Sequence, residues 1–449
     1  MSSKSVLSVS NQVTAPTAYQ EPWMWLPNEI VVNILSYMSI KELFHFSLVG
    51  RACARFIDDT RLWKLLFARD LPERLTLRAP PTLTFKELYR MPFVVRSNIE
   101  NNCPKITTLD SHESGIFASY YRDSLLLSGD GKGNVKVRTK GQDGLFQTVQ
   151  TIQSCCKSEF FQISPDQEYL FSHGATVLKI YKRAEKGDFE EIQSIDIDGT
   201  EIRHFKMDGR TLTVSSGQNS VVYCKGLDGL FYESTRLSGI HLVFVSCDYL
   251  FAAFRDETVQ ILKRDAQDNY KVQQNFTKAA PTAVFPSWVF FENGQLIVGS
   301  SGGVFQIWKQ KENGWFTGPE DVNVLDDVNG IHFMNYVACM TVRADDIFIG
   351  MSQGQLIVLT KDRNGVFQKQ LLSSTFLDII GSIITYENYM ISGHFDKTVK
   401  FWEKTEGSYK LFQTLEPGPA GVSSLSMDDN KLVIGYLTGE VEIRDFYPK

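Results

Sequence analysis

No apolar run in this 449-residue chain approaches the ~20 residues that a membrane-spanning helix needs, so the protein is expected to be soluble and to have no membrane partner. Cysteine is sparse and unpaired in pattern. There are seven, an odd number, with no C-x-x-C motif, and the neighbours Cys155 and Cys156 are too cramped for ordinary disulfide geometry. They read as free thiols in a reducing compartment, cytoplasmic or nuclear. Cys224, Cys247 and Cys339 lie in apolar stretches and read as small core fillers. Positive charge is not in excess: 46 Lys and Arg against 52 Asp and Glu leave a net charge of -6, which argues against broad attraction to nucleic acid or anionic lipid. Catalytic signatures are missing as well. The chain has no P-loop, no G-x-S-x-G elbow and no H-E-x-x-H, and its seven His are scattered singly, so no enzyme activity, metal or cofactor is expected. His394, in SGHFDKTV, reads as a structural residue at a turn.

The 43% hydrophobic content is enough for substantial cores, and the length fits two unequal parts. Residues 1–21 are Ser/Thr-rich, with Lys4 the only charge among the first twenty, and lack the apolar centre of a secretory signal. They read as a disordered leader, with a bacterial contact-dependent secretion signal as the alternative.

Between residues 22 and 70 the apolar residues Leu26, Ile30, Ile34 and Leu35, then Leu43, Phe46, Leu48 and Val49, recur at helical spacing. Pro27 suits a first helical turn. Ser39 precedes a second helix over 40–48, and 60–68 predicts a third, carrying Leu62, Trp63, Leu66 and Phe67. Three short helices cannot hide this many large apolar groups among themselves, so some surface is left for a partner. The ordered blocks LPNEIVVNILSYM, KELFHFSLVGRACARF and LWKLLF resemble an F-box. That resemblance implies docking to a Skp-type adaptor, and through it to a cullin-RING ubiquitin ligase, by Leu26, Pro27, Ile30, Ile34, Leu35, Leu43, Leu48, Val49 and Trp63, with Glu29 at the polar rim. Residues 71–104 read as a helical linker. Thr84 and Glu87 form a capping box, and the helix is open to bending at Pro92.

Residues 105–449 repeat one unit: an apolar triplet, a small or Gly-containing turn, an alternating strand, a polar hairpin and another strand. Units start at Leu125, Tyr169, Thr211, Tyr249, Gln295, Asp346, Tyr389 and Lys431. Gly-, Asp- and Asn-rich turns such as KGQDG and KDRNG supply hairpin punctuation. Four short strands per unit describe a propeller blade. GHFDKTVKFW at 393–402 and FRDETVQIL at 254–262 resemble WD repeats. Only two strands follow the last unit's start, and KITTL at 105–109 is placed to complete that blade and remove its open edge. The expected fold is α+β multidomain: a small all-α F-box module followed by an all-β WD-repeat propeller of eight blades.

Propellers that this segment resembles bind ligands over the central channel, from the start of the innermost strand and the turn before the third. By position this implies Arg203, His241 and Arg255 as basic groups, and Phe117, Phe160, Phe395 and Leu437 as apolar ones. Arginine forks suit phosphate or carboxylate, so a phosphorylated or acidic peptide is one expected target, and an unphosphorylated apolar motif is the other. The expected function is a non-catalytic substrate-recognition adaptor of a Skp/cullin/F-box ligase. A WD-repeat scaffold without a ligase role, or a bacterial effector that mimics a host F-box protein, fits the same residues.

Overall fold

The computed structural model of the chain describes all residues apart from 1–25, 50, 71–83, 142, 154–160, 165, 198–200, 218, 247, 255–257, 266–268, 277–285, 301–302, 325–335, 363–364, 375–377, 429 and 448–449. The leader expected over 1–21, and linker residues 71–83, fall outside these residues. The chain divides into two compact units, one ending at Arg96 and the other beginning at Ser97.

The first unit contains helices α1 (Asn28–Leu35), α2 (Ile40–Val49), α3 (Arg51–Ile57) and α4 (Thr60–Asp70), and most of α5 (Phe85–Glu100). Pro27 caps α1 from outside: its carbonyl accepts the N–H groups of Ile30 (2.9 Å) and Val31 (3.2 Å). Ser39 and Glu42 form a reciprocal capping box at α2 and Thr84 and Glu87 another at α5, each satisfying backbone donors that a helix start leaves free. Helix α5 runs on through Pro92, which cannot donate to the Leu88 carbonyl. Four helices, not three, occupy 28–70. The sequence hides α3 because Ala52 and Cys53 are small and only Phe56 and Ile57 mark its apolar side. Val31, Val32, Leu35, Leu43, Leu62, Trp63, Leu66, Phe67 and Tyr89 make one core, which the Trp63 indole N–H donating to the Ile57 carbonyl ties to the end of α3.

The second unit is a ring of eight four-stranded antiparallel sheets, each one blade. Strands β2 (Ile116–Arg122) through β29 (Ser408–Leu415) make blades 1 to 7 in chain order, four apiece. The eight unit starts read from the sequence open the second strand of every blade, from β3 (Leu125–Asp130) to β31 (Lys431–Tyr436). These strands are apolar runs without alternation because neighbouring blades cover both faces; β3, β11 (Thr211–Ser216), β23 (Asp346–Met351) and β27 (Tyr389–His394) are buried along their whole length. The core is accordingly a set of wedges between blades, such as Phe171, Phe205 and Phe231 between blades 2 and 3. Blade 8 consists of β30 (Val422–Asp428), β31, β32 (Val441–Asp445) and, outermost, β1 (Lys105–Thr108), whose Ile106 pairs with Arg444 and Thr108 with Glu442. The ring thus closes by the strand predicted for it, and no blade is left short.

Among the described residues, no helix is long and apolar enough to cross a membrane.

Candidate functional site

Two surfaces follow from this arrangement. On α1 and the residue pair before it, Leu26, Ile30 and Ile34 recur every four residues, and on α2 so do Ile40, Phe44 and Leu48. All six are exposed, together with Tyr37 and Val49. Residues four apart lie along one side of a helix, so these are two apolar ridges. Ile34 is 52% exposed and Phe44 61%, whereas Leu35 and Leu43 on the opposite sides are 3% and 2%. The nine residues that the F-box resemblance implies divide by exposure. Leu26, Pro27, Ile30, Ile34, Leu48 and Val49 lie outside, while Leu35, Leu43 and Trp63 are core residues that hold the ridges in place. Tyr37, Ile40 and Phe44 belong to the exposed set and were missed, although the four-residue spacing carries the signal for two of them. Glu29 sits at the rim, paired with Arg61 of α4 at 3.1 Å.

The second surface is the mouth of the propeller. In seven innermost strands the ladder slips by one residue near its start, at Phe117, Arg203, His241, Ser287, Ala338, Gly381 and Ser423. Such a bulge frees a side chain from the pleat and re-aims it. The inner-strand candidates therefore occupy one repeated position on the ring. Phe395 and Leu437 meet at Gly421 between blades 7 and 8, and Phe117 lies against Gly131 in blade 1 beside them. A Cβ on Gly131 would lie 2.9 Å from the Phe117 ring, one on Gly381 2.9 Å from the Phe395 ring, and one on Gly421 3.1 Å from the Leu437 side chain and 3.2 Å from the Phe395 backbone. The Gly131 and Leu437 N–H groups donate to Gly115 and Gly421, stitching the arc together. The backbone of Arg203 lies in β10 (Ile202–Asp208) of blade 3 and that of His241 in β14 (Ile240–Ser246) of blade 4, on the other side of the ring; their side chains, with Phe160 and Arg255, fall outside the described residues.

Beneath Phe395 a buried network fixes the turn. His394 Nδ1 meets Asp378 at 2.7 Å and its Nε2 meets Ser392 Oγ at 2.8 Å, Trp402 Nε1–H donates to the same Ser392 Oγ, and the Asp396 N–H donates to Asp378. Asp378, His394 and Asp396 have the spacing of a metal group, and their atoms make these bonds and those to Thr398, which hold the turn at the residue that the sequence reads as structural. Blade 1 exchanges the partners. His112 meets Ser128 at 2.8 Å and Asp130 at 3.3 Å, and fully buried Arg138 stands where blade 7 has Trp402, its Nε–H donating to Asp110 at 3.0 Å.

Residues 23–69 match the F-box-like family model. A search of curated proteins found no match. Among solved structures, Sqt1 from Saccharomyces cerevisiae is similar at 12% identity and a TM-score of 0.61, covering 77% of this chain and 99% of its own. The C-terminal WD40 domain of Sif2 is similar at 10% identity and a TM-score of 0.57, over 77% and 99%. A computationally designed protein, Ika8, reaches 16% identity and a TM-score of 0.56, over 75% and 98%. Identities this low speak for fold alone. An F-box-like segment joined to such a propeller points to a receptor-type or protein-interaction role. Residues 23–69 thus match the F-box-like family model, and the eight-bladed propeller that follows shares its fold with solved propellers that include a WD40 domain.

Proposed function

We propose that this chain is the substrate-recognition subunit of a Skp/cullin/F-box ubiquitin ligase, acting in the cytoplasm or nucleus. Residues 22–70 dock a Skp-type adaptor, 71–104 connect, and 105–449 hold a target protein. The observation that carries the reading is the pair of ridges on α1 and α2: eight large apolar groups stay exposed over residues 26–49, beside a core that is already filled. Burying them on a partner contributes roughly 25 cal/mol for each Å² removed from water. An apolar surface this concentrated, on a helix pair with a polar rim, suits a helical partner better than a peptide or a small molecule. The chain supplies no catalytic group in this scheme. It brings a bound target close to the ubiquitin-carrying enzyme, and proximity alone removes much of the entropic cost of the transfer.

At the target end, the arc of Phe117, Phe395 and Leu437 supports recognition of an apolar motif. Arg203, His241 and Arg255 are assigned to the basic side of the same mouth. The test is capture of purified Skp-type adaptor by the full chain. Ile30→Glu combined with Ile34→Glu is expected to abolish capture while leaving the melting temperature within a few degrees of wild type. Unchanged capture by this variant, or none by wild type, would leave a WD-repeat scaffold as the better account.

A further inference from the structure

The two apolar ridges stand on α1 and α2, and four residues, Ser36 to Ser39, separate the helices. The angle between the ridges is therefore set by how that turn is held. One side chain from α4 takes two of its carbonyls: Arg69 Nη1 donates to the Ser36 oxygen and, at 3.2 Å, to the Met38 oxygen. Ser36 is the C-cap of α1, where a helix leaves carbonyls free and where positive charge is favoured. At the other end of the turn, the bonds of Ser39 go to Glu42 within α2 itself. Arg69 thus ties the turn to the body of the module.

Arg69 is itself oriented by its neighbours. Its Nε and Nη2 fork onto the Asp70 carboxylate at 2.5 and 2.7 Å, which leaves Nη1 for the turn. Asp70 in turn accepts the Tyr89 hydroxyl of α5 at 2.5 Å, and Tyr89, buried, packs edge-on against Trp63 in the core. Burial, then the bond to Asp70, pushes the Tyr89 pKa up to about 12, so the hydroxyl stays a donor throughout the neutral range. A chain of bonds therefore runs from the core through Asp70 and Arg69 to the turn, whose Tyr37, between the two gripped carbonyls, is exposed with the ridges. We infer that Arg69 is a positioning residue for adaptor docking: oriented by Asp70 and Tyr89, it fixes the turn between α1 and α2, and with it the angle at which the two ridges meet the partner. It acts through the backbone of Ser36 and Met38 and stands outside the apolar set. A surface ordered before encounter loses less freedom on binding, so the grip is read as affinity. The inference rests on the adaptor-docking half of the proposed function and deepens it.

The experiment measures the affinity of the full chain for purified Skp-type adaptor, and backbone hydrogen exchange in the free chain, at a temperature far below melting. Arg69→Gln is expected to weaken binding by about tenfold and to speed exchange at residues 37–40. Arg69→Lys keeps the charge but cannot fork onto Asp70 while reaching the carbonyls, so it restores little of the loss. Tyr89→Phe removes the relay hydroxyl alone and is expected to weaken binding by about threefold. Leu66→Val, a core change on the same helix, separates positioning from stability: it is expected to lower the melting temperature and to leave affinity within about twofold of wild type. Asp70→Asn breaks the fork that orients Arg69 and decides the question if Arg69→Gln fails to fold. Capture by wild type with undiminished affinity in Arg69→Gln or, in its place, Asp70→Asn, or a loss no larger than that of Leu66→Val, overturns the inference and leaves adaptor docking standing. No capture by wild type overturns both, so the two failures are told apart.

Discussion

Gln193 on the outer strand of blade 2 grips the backbone of Phe231, the first residue of the outer strand of blade 3, through both ends of its amide: its Nε2–H donates to the Phe231 carbonyl and its Oε1 accepts the Phe231 N–H, each at 2.8 Å. The same two-way bond joins Gln150 to Phe189, Gln274 to Phe316 and Gln370 to Tyr409. An outer strand's first residue starts a new sheet edge, where no ladder partner reaches its far side. The glutamine of the preceding blade supplies one, so a single side chain satisfies two backbone groups and spaces adjacent blades at the circumference. Gln413 of blade 7 continues the girdle by donating to the Glu100 carbonyl at 2.6 Å, since blade 8 has its outer strand from the start of the domain.

Gln193→Leu is therefore expected to destabilise the propeller by about 1–3 kcal/mol, because a part-buried N–H and C=O both lose their partner. Gln193→Glu recovers part of this, as a carboxylate accepts from Phe231 N–H but cannot donate to its carbonyl. Urea unfolding measures both, and equal midpoints for wild type and Gln193→Leu would dismiss the clamp as incidental.

The two sides of the helical module separate in the same kind of measurement. Leu35→Ala and Leu43→Ala empty space in a filled core and are each expected to cost about 2–5 kcal/mol. Phe44→Ala and Leu48→Ala on the ridges change stability by about 0.5 kcal/mol or less. Adaptor capture is expected to show the reverse order at native temperature: the ridge variants lose it, and the core variants lose it only to the extent that they unfold.

The repeat was legible because a blade's second strand is buried on both faces. An apolar triplet ending in a small residue marks it whatever else varies, and all eight starts from Leu125 to Lys431 coincide with strands. The closing strand was legible for a different reason, as a count of strands that came out one short. What the sequence could not show was which apolar residues of a short helix face inward. Ile34 and Leu35 are adjacent aliphatics of equal size, and only the packing of α4 against α1 sends the first outward and the second in. The glutamine girdle carries a signal, Gln four residues after the aromatic that follows a Gly- or Asp-containing turn, yet Gln370 comes three residues after Phe367, because the bulge of its strand lies after the glutamine where the other four strands have it just before. Arg138 lay outside the repeat pattern because it replaces the aromatic group by which a blade is recognised, and His112 because it stands before the innermost strand, where the repeat has no fixed residue.

Closure by β1 has a directional test. Adjacent residues in a strand alternate between bonding the neighbour and pointing their N–H outward, so of Ile106→Pro and Thr107→Pro one removes a ladder bond to β32 and the other does not. The damaging variant is expected to lower the unfolding midpoint and to form soluble oligomers by light scattering, since it uncovers an edge. Similar, small effects from both would mean that β1 contributes little to ring closure.

Acid stability bears on the exchanged network of blade 1. His112 is buried with Ser128 and Asp130, and two opposing influences act on it. Burial, followed by the positive charge of Arg138, pulls its pKa down, Asp130 pulls it up, and the balance falls to about 4. The imidazole is then neutral in the fold but protonates below about 6.5 when the chain unfolds. Its contribution is fully present above pH 6.5, declines as pH falls from 6.5 toward 4, and levels off below that. Burial lowers the pKa of His204 to about 4 in the same way, so both histidines act in one direction. His112→Gln keeps a donor for Ser128 but cannot titrate. It is expected to cost about 1–2 kcal/mol at pH 7 and to flatten the fall in stability between pH 6.5 and 4 by about one proton's worth. Had the attraction of Asp130 prevailed, His112 would be charged in the fold, its contribution would be constant below pH 6.5 and would be lost as pH rises above 6.5; urea unfolding at half-unit steps from pH 4 to 8, wild type against variant, separates the two.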